Sequence, residues 1–271
     1  MIVSATGKYS RFRATLDQRF LLAQFTVRDF TSRYRGTYLG LVWSVLLPLI
    51  MVGMYTFVFG SIFKSRWSAG SETSVFFGTA LLAGLIPFNF FSDVLVTSAG
   101  LINANSNLVK KVVFPLGILP LSRVLASMGH ALISLVILAV LAGSQGVFGV
   151  TWLFLPLLYF PFLVFCIGLA FLLSALGVFF RDITHLLSAV ISLSLFLSPI
   201  FYSMDAVPTS IRPIMGFNPL AIMAEQCRRC LIFGAVPEMA LVAVLWGWAL
   251  CALVIGVWWF KKLKPSFADV M

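Results

Sequence analysis

From Tyr38 to Phe63 the chain runs without one Asp, Glu, Lys or Arg, and five later stretches are nearly as bare. A helix needs about 20 mostly apolar residues to cross a hydrocarbon layer about 30 Å thick. In lipid, every backbone polar group must be satisfied internally, which leaves helices or closed barrels as spanning structures. Runs of this length point to helices. Six spans are expected: Tyr38–Phe63, Val75–Leu101, Leu119–Ala142, Thr151–Phe180, Leu186–Phe201 and Met239–Phe260. The fifth is short, and its continuation "SPIFYSMDAVP" is interrupted by Pro199 and Pro208.

The composition agrees: 61% of the 271 residues are hydrophobic and 10% are charged. Water-soluble domains are about half apolar and a quarter charged. The fold class is therefore an all-α polytopic membrane protein. Residues 1–37 form an N-terminal segment, 38–260 the spanning domain and 261–271 a basic tail, with no internal repeat, linker or second domain. A net charge of +10 could suggest nucleic acid. However, the cations sit in short clusters between apolar runs rather than along one polar face, which is the pattern of membrane topology.

Six spans place both termini on one side. That side holds the seven cations before Tyr38, Lys110, Lys111, Arg123, Arg181, Lys261, Lys262 and Lys264. The other holds Lys64, Arg66, Arg212, Arg228 and Arg229. The positive-inside rule puts the termini in the cytoplasm. Residues 1–20 carry Lys8, Arg11, Arg13 and Arg19 with no apolar core and cleavage site, so they do not read as a secretory signal. Of the four cysteines, Cys227 and Cys230 form "CRRC", but without a second pair or nearby histidine they read as packing residues. His130 and His185 read as packed or interfacial, with no metal constellation.

Before the first run, Leu16, Phe20, Ala23, Val27, Phe30 and Tyr34 recur at steps of three and four. Asp17, Gln24, Arg28, Thr31 and Arg35 lie on an adjacent polar stripe. A basic amphipathic helix of this kind settles at the headgroup boundary. Asp29 and Arg33 are ordered for an i,i+4 ion pair, and Gly36 can end the helix. Beyond the fifth run, residues 203–237 are too apolar for a free loop and too broken by proline for a span, so one or two short re-entrant or interfacial helices are expected. Glu225 is spaced to pair with Arg228 or Arg229.

The stretch "RDFTSRYRGTYLGLVWSVLLPL" followed by "YTFVFGSIF" resembles the start of the membrane subunit of bacterial ABC transporters that export polysaccharide, the ABC-2 permease class serving O-antigen, capsule and teichoic acid. "NLVKKVVFPLGILPLSR", "GVFFRDITHL", "SPIFYSMDAVP", "NPL" and the tail "FKKLK" extend the likeness over nearly the whole chain. The resemblance implies a homodimer in the bacterial inner membrane, bound to two copies of a separate ATPase that uses ATP and Mg, with a lipid-linked polysaccharide as substrate and no nucleic acid. The chain itself carries no G-x-x-x-x-G-K-[ST] loop; "TGKYS" at 6–10 lacks the preceding glycine. No catalytic residue, metal ligand or bound cofactor is expected in it.

The resemblance also assigns residues. Lys110, Lys111, Phe114 and Pro115, with Arg181 and Asp182, are expected to engage the ATPase, Phe114 as an apolar knob and Arg181 with Asp182 as an alternative local pair. The first and fifth spans line the conduit in that family, which points to Tyr38, Trp43, Tyr55 and Phe59, and to a weakly polar edge of Ser194, Ser198 and Tyr202. The broken segment after the fifth span gates the exit in that family. Aromatic rings cover the apolar faces of sugars without demanding one hydroxyl pattern. Arg28, Arg33, Tyr34 and Arg35 suit the lipid diphosphate, because forked guanidinium donors match phosphate oxygens. Two alternatives stay open: an ABC-2 exporter of a drug or lipid, and an ion-coupled flippase or membrane glycan enzyme. The second would need paired intramembrane carboxylates or a metal-binding cluster, whereas the spans carry Asp93 near one end.

Overall fold

The computed structural model describes residues 3–58, 74–110, 114–147, 149–180 and 182–270, with side chains described from Gln18 onward except at 74–76 and 205. Helix α1 (Val3–Ser32) ends where hydroxyls compete for its carbonyls. Thr31 Oγ1 donates to Val27 O and Ser32 Oγ to Asp29 O, the local bonding that weakens a helix end. Gly36, at φ +85°, then takes the left-handed conformation that lets the chain turn. A 3₁₀ turn (Gly40–Val42) leads into α2 (Trp43–Tyr55), whose helical winding continues to Val58.

Next come α3 (Ser74–Ala99), two short pieces α4 (Leu101–Ala104) and α5 (Ser106–Lys110), and α6 (Ile118–Ser144). Helix α7 (Leu155–Phe179) is entered through a 3₁₀ turn, and α8 (Ile183–Leu197) follows. The chain then makes α9 (Arg212–Met215), α10 (Pro219–Leu231), α11 (Met239–Leu263) and α12 (Phe267–Val270). No strand occurs among the described residues.

Among the described residues five helices are long and apolar enough to cross a membrane: Gly40–Val58, Phe77–Ala99, Ile118–Ser144, Val150–Phe179 and Met239–Val270. The fifth expected span is shorter than these. Leu186–Phe201 is realised as the 15-residue α8, which rises only about 22 Å. It stops at Leu197 because Pro199 cannot donate to a helix and holds Ser198 extended, at φ −112° and ψ 141°. The broken segment beyond it folds into α9 and α10, as its composition leads one to expect.

Helix α3 is the pillar, packed by α6, α7 and α10. In its most apolar stretch 78% of residues are buried, against 6% in α2, so α2 is an appendage and α3 is core. Helices α7 and α11 approach backbone to backbone: a Cβ at Gly168 would strike the Ala252 carbonyl, and one at Gly256 would strike Gly168 itself. Lipid tails remove the hydrophobic drive between helices, so close van der Waals contact through small residues holds such pairs.

The two ends of the bundle differ. At the α1 end, Leu101, Ile102, Leu119, Val178, Phe260 and Phe267 form a second apolar cluster. Phe267 is fully buried: α11 extends to Leu263 and the chain continues through α12, while Lys261, Lys262 and Lys264 of the basic tail stay exposed. At the α10 end, α10 is buried on nearly every face and pinned by Thr151 Oγ1 donating to Cys230 O at 2.5 Å and Glu238 N donating to Gln226 Oε1 at 2.8 Å.

Candidate functional site

The turn after α1 carries Arg33 and Tyr34 into the bundle because α1 lies along α6 rather than apart from it. Ser122 Oγ donates to the buried Asp29 carboxylate at 3.0 Å. Phe30 stacks on His130, with ring centroids 4.4 Å apart and planes at 15°. Tyr34 meets the same imidazole edge-on, its Oη 3.3 Å from Nδ1. Burial raises the Tyr34 hydroxyl above its ordinary pKa, the charge of Arg33 opposing this, so the group stays protonated and able to donate.

The expected apolar stripe of α1 divides between two surroundings. Phe20, Ala23 and Val27 are exposed, while Phe30 and Tyr34 turn inward with Asp29. The i,i+4 pair between Asp29 and Arg33 is also corrected. Asp29 takes Arg28 Nη2 at 2.9 Å and Ser122, and Arg33 reaches across to Asp93 of α3.

Asp93 is the hinge of the arrangement. One carboxylate oxygen binds Arg33, and the other accepts from Ser127 Oγ of α6 at 2.6 Å. Above this chain of bonds a cavity of about 320 Å³ opens between α2, α3 and α6. Arg33, Asp93, Ser127, His130 and Asn89 make one end polar. Leu47, Met51, Leu82 and Ile86 make the wall apolar, and Trp43 and Tyr55 add aromatic faces. Its volume lies at the lower end of the range for small-molecule sites. Such a space suits part of an amphiphile, with charge at one end and an apolar or ring-faced remainder.

The structure thus brings together four expected site residues from two groups, Arg33 and Tyr34 with Trp43 and Tyr55. Arg28 stays on α1, paired with Asp29 and lying 4.2 Å over the Phe25 ring, and Arg35 and Tyr38 are exposed. Phe59 lies outside the described residues. The edge expected from Ser194, Ser198 and Tyr202 does not form, because α8 ends before Ser198. Ser194 is half-buried, Ser198 is buried and bonded by Asn218 at 3.2 Å, and Tyr202 donates to Phe196 O at 2.8 Å.

Among the residues expected to meet an ATPase, Lys110 and Asp182 are exposed, and Lys111 and Arg181 lie outside the described residues. Pro115 is half-buried. Phe114 is not a free knob: its ring stands 5.2 Å from Phe25, joining the segment before α6 to α1. Glu225 lies 3.5 Å from Arg228, as spaced, while Arg229 instead pairs with Glu238 at 2.6 Å. Asn89, Asp93, Ser127 and His130 carry no site role in the sequence reading. Two signals were present: a carboxylate inside a span, and Ser127, His130 and Ser134 at steps of three and four on one face of α6.

Comparison with known proteins adds the family context. Residues 21–232 match the family model described as ABC-2 type transporter. The chain is 30% identical over 253 residues to an O-antigen export system permease protein RfbA of Klebsiella pneumoniae, covering 93% of this chain and 95% of the relative. It is 27% identical over 267 residues to the protein of the same name from Myxococcus xanthus, covering 95% and 97%. It is 23% identical over 255 residues to the polysialic acid transport protein KpsM of Escherichia coli, covering 92% and 95%.

Proposed function

The chain belongs to the ABC-2 type transporter family, and from that premise we propose that it is the membrane permease of a polysaccharide exporter, with O-antigen as its cargo. The observation that carries this reading is similarity along almost the entire chain to permeases named for O-antigen export. The chain holds no phosphate-binding loop of the Walker type, so a separate ATPase supplies the energy, and ATP and Mg are used there.

The cavity is the meeting point for the cargo's lipid end in this reading. Arg33 faces the diphosphate, while Tyr34, Trp43 and Tyr55 cover the adjoining sugar or chain. Two copies assemble with α2 and α8 toward each other. This is supported by the little burial that each finds within one copy: Ser44 in α2 and Leu187 in α8. The chain resides in the inner membrane with both termini cytoplasmic, where exposed Lys110 and Asp182 are available to the ATPase.

A deletion strain tests the reading. Surface polysaccharide should disappear and return with the gene, and the purified chain without its ATPase should show no nucleotide turnover. Turnover by the isolated chain, or normal surface polysaccharide in the deletion strain, overturns it.

A further inference from the structure

At the α10 end, Arg228 is fully buried. Its Nε donates to Ala80 O of α3 at 2.9 Å, Nη2 to Ile200 O at 2.7 Å, and Nη1 to Pro199 O. Glu225, one turn earlier on α10, lies 3.5 Å away. One side chain therefore joins α10, α3 and the stretch where α8 breaks.

The break creates the need. Beyond the last helical residue, Leu197, the carbonyls of Pro199 and Ile200 have no helical partners, and lipid offers none. A guanidinium is suited to that place because it presents five donors in a rigid fork and stays charged. Gly84 of α3 makes room, since a Cβ there would overlap the Arg228 guanidinium. Asn218, ahead of α10, donates to Leu197 O at 3.3 Å and to Ser198 Oγ at 3.2 Å. Helix α8 buries Leu187 along its length, and these bonds, with Tyr202 Oη donating to Phe196 O, tie down its end. An apolar side chain would avoid the cost of drying a charge, so the guanidinium points to a defined geometry rather than to bulk packing.

We propose that Arg228 is a positioning residue, a clasp that holds the broken end of α8 against α3 and so sets the shape of the export path at the α10 end. The link to export rests on the permease reading above. The clasp itself rests on the bonds alone.

The test uses the full permease–ATPase complex with Arg228→Lys and Gly84→Ala. Lysine keeps the charge without the fork, and Gly84→Ala keeps the guanidinium while filling its space. Cys227 and Cys230 flank Arg228 and are buried, which makes them natural reporters once Cys166 and Cys251 are replaced by alanine. Both variants should assemble and turn over ATP within about twofold of the parent, while polysaccharide exported per ATP falls about fivefold. Labelling of Cys227 or Cys230 by a membrane-impermeant maleimide should rise in step.

Parental export per ATP with unlabelled cysteines in both variants overturns the clasp. So does a loss of export that merely tracks the amount of assembled complex. Labelling needs no cargo: if it rises while the parental complex exports no polysaccharide, the clasp stands and the permease reading falls.

Discussion

Arg33 and Arg228 stand at opposite ends of one bundle, and each reaches an oxygen on α3, yet their settings are opposed. The Arg33 side chain is 40% exposed and meets a carboxylate, Asp93, that is itself 20% exposed. The Arg228 side chain is wholly buried and meets main-chain carbonyls. A half-exposed ion pair contributes roughly 0.2–1 kcal/mol, because water competes for both partners. A buried acceptor that loses its donor costs about 1–3 kcal/mol, because nothing replaces it. The first arginine can therefore change partners at little cost to the fold, and the second cannot. That is the difference between a group placed to meet a ligand and one placed to hold the frame.

The largest effect should come from removing the buried charge. Arg228→Met leaves the carbonyls of Ala80, Pro199 and Ile200 without their donor, and stability should fall by about 3 kcal/mol. Thermal unfolding in detergent reads this directly. A midpoint equal to the parent's would show that both arginines are dispensable to the frame and erase the contrast.

Asp93→Asn probes the other end. The amide carries no charge and keeps one acceptor oxygen for Arg33, while its NH2 faces Ser127 Oγ, which can accept instead of donating, so stability should change by less than about 1 kcal/mol. Export should nevertheless fall about threefold, because the polar end of the cavity then carries an unbalanced cation. A detergent unfolding curve and surface polysaccharide, measured together, separate the two terms. If Asp93→Asn destabilises the chain as strongly as Arg228→Met, the Arg33 pair is a frame element too.

The starts of five spans follow from apolar runs, which is why composition and length locate them within a few residues, whereas the burial of Phe267 beyond the last run does not. The end of α8 resists such reading, since Ser198–Phe201 is as apolar as the helix before it and its direction is set by Pro199 and by bonds from α10. Arg228 is equally hidden: in a tally of charges it is a loop cation, and only tertiary contact with α3 and the α8 break makes it a clasp. For α1, periodicity finds the helix but not its protein contacts, because Ser122 and His130 on α6 draw in Asp29, Phe30 and Tyr34. Partners distant in sequence decide all three cases.

The smallest effect concerns the remaining arginines of "RDFTSRYR", and it gives the sharpest test of the contrast. If the cluster works only as positive charge at the membrane surface, replacing any of its arginines by lysine should be harmless, since anchoring depends on charge alone. If Arg33 meets phosphate in the cavity, it needs the forked donor set that lysine lacks. Arg28 is engaged with Asp29 and Phe25 on α1, and Arg35 is exposed beyond the turn, so neither lies on the cavity wall. Arg33→Lys alone should therefore lower export about threefold with unchanged membrane level and complex assembly. The double change Arg28→Lys, Arg35→Lys should leave export within experimental scatter of the parent. Equal losses in the single and double variants would return the whole cluster to the role of an anchor. A loss confined to the double variant would move the ligand-facing charge out of the cavity and onto the surface of α1.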